Sequence, residues 1–320
     1  MTYRWLLPEY CEDILPDSAW ALEDARRKLL DLFRGRGFQL VIPPLIEYVE
    51  SLLTGTSHDM DLQTFKLVDQ LSGRLLGVRP DITPQVARID AHSMNHTEVN
   101  RLCYAGPVLH TKPDVLSQSR EPYQVGAEIF GLSDVSGDIE IQSLMLDALA
   151  VLGFTEVVLD VGHVGIFRGL IEQLNIDHKT ENEWFKLLQT KDIPSLKTAT
   201  QGINPVIRDA LLLLPTLNGG VEIVERARHL LPASAKVSSA LDQLTAVNAR
   251  FAGQVKLTVD LCELRGYHYH NGLVFQVYSG DYKGALARGG RYDEVGSAFG
   301  RSRPATGFSL DLRQLITFRR

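Results

Sequence analysis

Cysteine is scarce in this chain: Cys11, Cys103 and Cys262 are its only three, and they stand far apart. An odd, sparse set builds no disulfide framework, and with no CxxC spacing there is no zinc signature, so all three read as free thiols. Long apolar runs are missing too. No stretch approaches the roughly 18 apolar residues that would span a bilayer, and the opening Met1-Thr2-Tyr3-Arg4-Trp5 lacks the apolar core of a secretory signal. A cytoplasmic location is the expectation. Positive charge is not in excess: 33 Lys and Arg face 39 Asp and Glu, a net charge of -6. Neutralised phosphates drive nucleic-acid affinity, so this balance weighs modestly, and no further, against RNA binding, tRNA included. No GxxxxGK[ST] phosphate loop, no GxGxxG after a strand, no HExxH and no GxSxG occurs, so no cofactor and no metal is expected.

What is there is an ordinary globular balance, 44% hydrophobic and 22% charged, over 320 residues. That length suits one large domain with a smaller one attached. Leu22, Ala25, Leu29, Leu32 and Phe33 recur at helical spacing, with Asp17 or Ser18 as the expected cap and Gly35 and Gly37 as the stop. Phe38 to Ile42 reads as a strand ended by Pro43-Pro44. Thr64 to Val68 and Arg74 to Arg79 read as a hairpin, and Thr83 to His92 as a short helix. Arg101 to His110 and Glu121 to Phe130 read as strands joined by a polar loop, Thr111 to Arg120, open to three readings: a plain solvent loop, a cover over a pocket or a contact with a partner. Asp138 to Leu152 is a helix and Val157 to Val161 a strand.

From Val164 to Ala252 the pattern is almost wholly helical, and strands return from Val255 onward. Residues 164–252 are therefore expected to be a helical insertion domain within a core built from 1–163 and 253–320. Hairpin patterns outnumber βαβ units, so an antiparallel sheet with flanking helices, an α+β fold, is the expected host.

Five segments then stand in a fixed order. They are Phe38-Gln39-Leu40-Val41-Ile42-Pro43-Pro44; Arg79-Pro80-Asp81-Ile82-Thr83; Tyr104-Ala105-Gly106-Pro107 with Gln124-Val125-Gly126-Ala127-Glu128-Ile129-Phe130-Gly131; Arg265-Gly266-Tyr267-His268-Tyr269-His270-Asn271-Gly272; and Gly289-Gly290-Arg291-Tyr292-Asp293 with Gly307-Phe308-Ser309-Leu310. In this order they resemble the class II aminoacyl-tRNA synthetase core, specifically that of histidyl-tRNA synthetase, over nearly the whole chain. The resemblance implies a six-stranded antiparallel sheet with a helical insertion and a pocket for histidine. Matched onto this sequence, the family's pocket positions are Asp81, Thr83 and Gln124 around the α-amino group, Glu128 facing the imidazole, Arg265 near the carboxylate, and Tyr269, His270 and Tyr292 on the aromatic side. Asp81 is one methylene shorter than the synthetases' usual Glu, and His270 stands where they carry Tyr.

The departures from the synthetase pattern concern ATP. Positions that resemblance assigns to an α-phosphate Arg and a Glu two residues on hold His110 and Lys112, an imidazole and a cation. In the third class II motif the ATP-stacking Arg becomes Gln314 and a Gly becomes Asp311, whose carboxylate would repel polyphosphate. Arg313 is one residue off, about 100° round a helix. The chain ends at Arg320, where synthetases continue into an anticodon-binding domain; none is expected here.

This combination is similar to the ATP phosphoribosyltransferase regulatory subunits. The likeness implies a subunit with no catalysis of its own, self-associating as a dimer. Its implied partner is a short-form catalytic subunit, four of each chain in a hetero-octamer, which it switches on and through which histidine feeds back as allosteric ligand. Two other readings are a histidine-activating enzyme, motivated by the retained pocket, and a histidine- or tRNA-sensing binding module. His58, His92, His96, His163, His178 and His229 form no ligand spacing and read as structural or exposed.

Overall fold

The computed structural model describes residues 5–54, 58–94, 97–113, 119–264, 266 and 269–319. The first helix, α1 (Pro16–Gly35), buries Ala25, Leu29 and Phe33, a four-residue repeat that makes one apolar stripe. Its N-cap is Leu15, with no side-chain capping bond, where Asp17 or Ser18 was expected. Pro16 supplies the reason: its fixed φ suits the first helical position, where an N–H would lack a partner anyway. Gly37 stops the helix as expected, at φ 82°, a left-handed turn that costs glycine little.

The strands are β1 (Gln39–Leu40), β2 (Ile46–Tyr48), β3 (Phe65–Val68), β4 (Leu75–Val78), β5 (Asn100–Pro107), β6 (Tyr123–Phe130), β7 (Val157–His163), β8 (Asn218–Gly219), β9 (Lys256–Asp260), β10 (Leu273–Ser279), β11 (Ala287–Arg291) and β12 (Ala305–Asp311). Nine of them form one sheet in the order β1-β5-β6-β12-β11-β10-β7-β9-β8. Its centre, from β5 to β7, is antiparallel throughout. The edges are not: β1 runs parallel to β5, and β9 parallel to β7. The expected strand from Phe38 to Ile42 shrinks to two residues because it is an edge strand running into two prolines. The expected hairpin is β3–β4, joined by the unforeseen β2 into a separate three-stranded sheet.

The remaining helices are α2 (Val49–Leu52), α3 (His58–Gln63), α4 (Thr83–Arg88), α5 (Val135–Val151), α6 (Val164–Ile171), α7 (His178–Gln189), α8 (Ile193–Ala199), α9 (Pro205–Leu213), α10 (Glu222–Leu230), α11 (Ala235–Phe251) and α12 (Leu312–Phe318). The six from α6 to α11 form the crossover that parallel β7 and β9 require. Their Trp184, Leu188, Leu211, Leu241 and Leu244 share one buried cluster with Leu159 and Phe275 of the sheet. On the same side, Phe308 of β12 meets Phe33 of α1 edge-on, ring centroids 6.1 Å apart. One face of the sheet is thus packed with helices, and side chains alternate, so the next residue along each strand faces the other way.

A buried ion pair clips α5 to the sheet. Arg291 donates through Nε and Nη2 to Asp138 Oδ2, at 3.0 and 2.6 Å, and through Nη1 to the Leu132 carbonyl at 2.9 Å. Replacing Arg291 with methionine leaves a buried carboxylate without its counter-charge. The expected cost is about 3–5 kcal/mol of stability, read as a drop in the urea midpoint.

Candidate amino-acid site

The other face of the sheet, where Ile82, Val86 and Ala87 at α4 pack against Leu102, Tyr104 and Phe130, carries the site. Glu128 of β6 lies opposite Gly307 of β12, and Gly126 opposite Ser309, which lies opposite Arg288 of β11. These residues share one face. The glycines are there because large groups lie over them: a Cβ on Gly307 would stand 1.4 Å from Glu128 Oε2, and one on Gly126 2.4 Å from Tyr104 Oη.

A cavity of about 300 Å³ opens above them, lined by Asp81, Thr83, Glu128, Tyr269, His270 and Tyr292 among others. Glu128 is its buried floor. Tyr104 Oη donates to Glu128 Oε1 at 3.0 Å and Tyr292 Oη to Oε2 at 2.5 Å. Thr83 Oγ1 lies 2.9 Å from Tyr104 Oη, extending the chain of hydroxyls. Burial pushes the Glu128 carboxyl up to about 8, against the pull of the two tyrosine hydroxyls. Burial, and after it the nearby Glu128, pushes the hydroxyls of Tyr104, Tyr269 and Tyr292 well above their usual value, so they remain proton donors at neutral pH. The Tyr269 hydroxyl is buried with no hydrogen-bond partner among the described residues. Its ring lies 4.9 Å from that of Tyr292 and 5.3 Å from that of His270. A carboxylate, a spare hydroxyl and aromatic walls complement a small flat ring bearing N–H groups, such as imidazole.

At the mouth, Asp81 Oδ1 accepts from the Thr83 amide at 2.9 Å and from Gln124 Nε2 at 2.7 Å. Gln124 Oε1 accepts from the Ile82 amide at 2.8 Å. Both ends of the Gln124 amide are thereby used to aim Asp81, and Gln124 lines the neighbouring cavity instead of this one. Arg265, with Tyr267 and His268 of the same segment, lies outside the described residues.

The neighbouring cavity, about 310 Å³, shares Asp81, Arg288 and Ser309 with the first. His110, Asp311 and Gln314 line it; Lys112 is exposed and does not. His110 lies beyond β5, which ends at Pro107 and not at His110 as expected, and its Nε2 sits 2.8 Å from the Pro80 carbonyl. Asp311 caps α12, accepting from the Gln314 amide at 3.4 Å and from the Tyr123 amide at 3.1 Å. The substitution that puts a carboxylate at this cavity therefore also starts a helix. Arg313 points away, as its helical offset predicts, to Glu12 at 3.1 Å and Glu121 at 3.7 Å. Of the polar loop from Thr111 to Arg120, residues 114–118 lie outside the described residues, and Arg120 stacks over Phe65. His96 also lies outside them; His163 caps α6 through Nδ1, which accepts from the Gly165 amide at 3.0 Å. No His, Cys, Asp and Glu grouping among the described residues could hold a metal ion, and no described helix is long and apolar enough to cross a membrane.

The sequence assigns no pocket role to Tyr104, quoted only as the start of a motif, or to Arg288. Tyr104 stands directly across the hairpin from Gly126, and Arg288 falls two residues before Gly290 on the face shared with the cavity. A glycine beneath a large side chain, and a period of two from Gly290, are the signals that point to them.

An antiparallel sheet packed with helices on one face and bearing two adjoining cavities on the other is the class II aminoacyl-tRNA synthetase type of core. A family model described as histidyl-tRNA synthetase matches residues 10–315. An ATP phosphoribosyltransferase regulatory subunit from Thiobacillus denitrificans is 57% identical over 312 residues, 98% of this chain and 97% of that one. Its counterpart from Cupriavidus metallidurans is 56% identical over 315 residues, 98% of this chain and 82% of that one. A solved structure from Bacillus halodurans, described as an ATP phosphoribosyltransferase regulatory subunit/histidyl-tRNA synthetase, superposes with a TM-score of 0.88 at 27% identity, covering 99% of this chain and 84% of that one. The chain belongs to the histidyl-tRNA synthetase-like family of ATP phosphoribosyltransferase regulatory subunits.

Proposed function

We propose that this chain is the regulatory subunit of a short-form ATP phosphoribosyltransferase in histidine biosynthesis, with no catalysis of its own, and that histidine is its allosteric ligand. The name its relatives carry supports the subunit role. One observation carries the histidine role. A cavity furnished for an imidazole, with Glu128 between Tyr104 and Tyr292, adjoins a cavity where the positions that synthetases give to their α-phosphate and ATP-stacking arginines hold His110 and Gln314. Histidine acts by binding one arrangement of the complex more tightly than the other. The assembly is four catalytic and four regulatory chains, the regulatory chains paired as dimers.

The test is to mix this chain with a short-form catalytic subunit and follow turnover. Activity is expected to rise on mixing and to fall when histidine is added, and the chain alone is expected to show no histidine-dependent ATP–pyrophosphate exchange. Exchange at a useful rate would replace this reading with the histidine-activating enzyme. Unchanged turnover on mixing would replace it with a binding module serving another partner.

A further inference from the structure

The two cavities meet at three residues, Asp81, Arg288 and Ser309, and two of them carry opposite charge. Arg288 is exposed, and its guanidinium makes no ion pair or hydrogen bond with any described side chain, not even with Asp81 at the same mouth. A carboxylate and a guanidinium are thus held on either side of one opening without touching. The charges needed to grip a zwitterion are already in place: an acceptor for an ammonium on Asp81, and a planar donor fork for a carboxylate on Arg288.

The register sets the span. Arg288 lies opposite Ser309, two residues along β12 from Gly307, the residue opposite Glu128. With strands ~4.8 Å apart and ~3.3 Å per residue, the Cα atoms of Glu128 and Arg288 stand roughly 12 Å apart on the same face. Side chains on one face stand up from the sheet, so an amino acid lying above the strands can bridge the tips of Glu128 and Arg288. We infer that Arg288 anchors the α-carboxylate of the histidine taken up by the cavity, and that it sets the site's preference for the amino acid over analogues that lack the carboxylate. The inference rests on the proposed histidine role and extends it to a residue not matched to the family's pocket. With the ring on Glu128 and the ammonium on Asp81, the carboxylate reaches the guanidinium at the junction. A bound ligand then occupies the cation that faces the second cavity and closes that cavity to other anions.

The experiment is calorimetric titration of the full chain with L-histidine and with L-histidinol, its amino alcohol. Arg288→Gln is expected to weaken histidine roughly 10- to 100-fold while histidinol stays within about threefold, and Arg288→Lys is expected to fall between the two. Because Arg288 is exposed, its loss leaves no buried carboxylate unpaired, and matching melting curves would show that the variants fold. Equal weakening of both ligands, or of neither, overturns the inference. So does discrimination that survives in Arg288→Gln and vanishes in Arg265→Gln, which would give the carboxylate to Arg265. A wild-type chain that takes up neither ligand overturns the histidine role itself; histidine binding untouched by Arg288→Gln overturns only the part given to Arg288.

Discussion

Glu128→Gln is expected to cut histidine affinity roughly 100-fold, because the ring N–H loses a charged acceptor in a water-excluded site. The same change is expected to make the empty protein more stable at alkaline pH. Burial raises the Glu128 carboxyl from 4.5 to about 8. A folded-state value above the unfolded one favours the folded chain fully below about 4.5, and that contribution is lost as the pH climbs through about 8. The ionised form therefore costs the empty protein on the order of 3–5 kcal/mol at high pH, and glutamine, which does not ionise, removes that cost. Urea midpoints at pH 5 and pH 9 check it: wild type should lose more across that range than the variant. A midpoint that falls equally in both proteins would show that Glu128 is not the group responsible.

Ligand uptake follows from the same proton. Near pH 7 the empty site holds a proton on Glu128 and free histidine has a mostly neutral ring, whose side-chain value is about 6.5. The complex shares one proton between carboxylate and ring, so binding there is nearly proton-neutral. Above about 8 the pair must take a proton up, and below about 6.5 it must release one, so affinity is highest between these values and falls on both sides. Titrations in two buffers of different ionisation enthalpy would expose the exchanged proton.

Much of this was legible before any coordinates. The alternating strands and the order of the motifs located the sheet and most of the cavity lining, and the helical block matches the run of helices between β7 and β9. Asp81, Thr83, Glu128, Tyr269, His270 and Tyr292 do converge on one cavity. What the sequence hid is what depends on register. Gln124 was matched to the α-amino group of a ligand, and nothing in the sequence showed that its amide also bonds Asp81 and the Ile82 N–H. Asp311 looked like a repulsive charge, and its second task, capping α12, needs the break between strand and helix to be placed to the residue. Arg291, within a motif read as part of the pocket, turns its guanidinium to the helix-covered side and pairs with Asp138, 153 positions away in sequence. Tyr104, though it opens a quoted motif, and Arg288 were given no place in the pocket, because a strand residue's neighbours are not known until its cross-strand partner is.

Gly307→Ala is expected to abolish histidine binding and to destabilise the chain by roughly 2–4 kcal/mol. The backbone at Gly307 is extended strand, so left-handed strain plays no part. The cause is steric: the new methyl would stand 1.4 Å from Glu128 Oε2 and 2.8 Å from the Ala127 carbonyl. The carboxylate could yield only by leaving the hydroxyls of Tyr104 and Tyr292, and the carbonyl belongs to the ladder between β6 and β12. Relief must therefore come from Glu128. Shortening it to alanine in the double variant Glu128→Ala, Gly307→Ala empties the space the methyl needs. Stability should then recover much of the loss, short of Glu128→Ala alone because the Ala127 carbonyl still stands close to the methyl, a coupling of a few kcal/mol in a double-mutant cycle, while histidine binding stays lost. If the two changes instead add without coupling, the glycine is not there to seat the carboxylate, and Glu128 is not fixed by the strand beneath it.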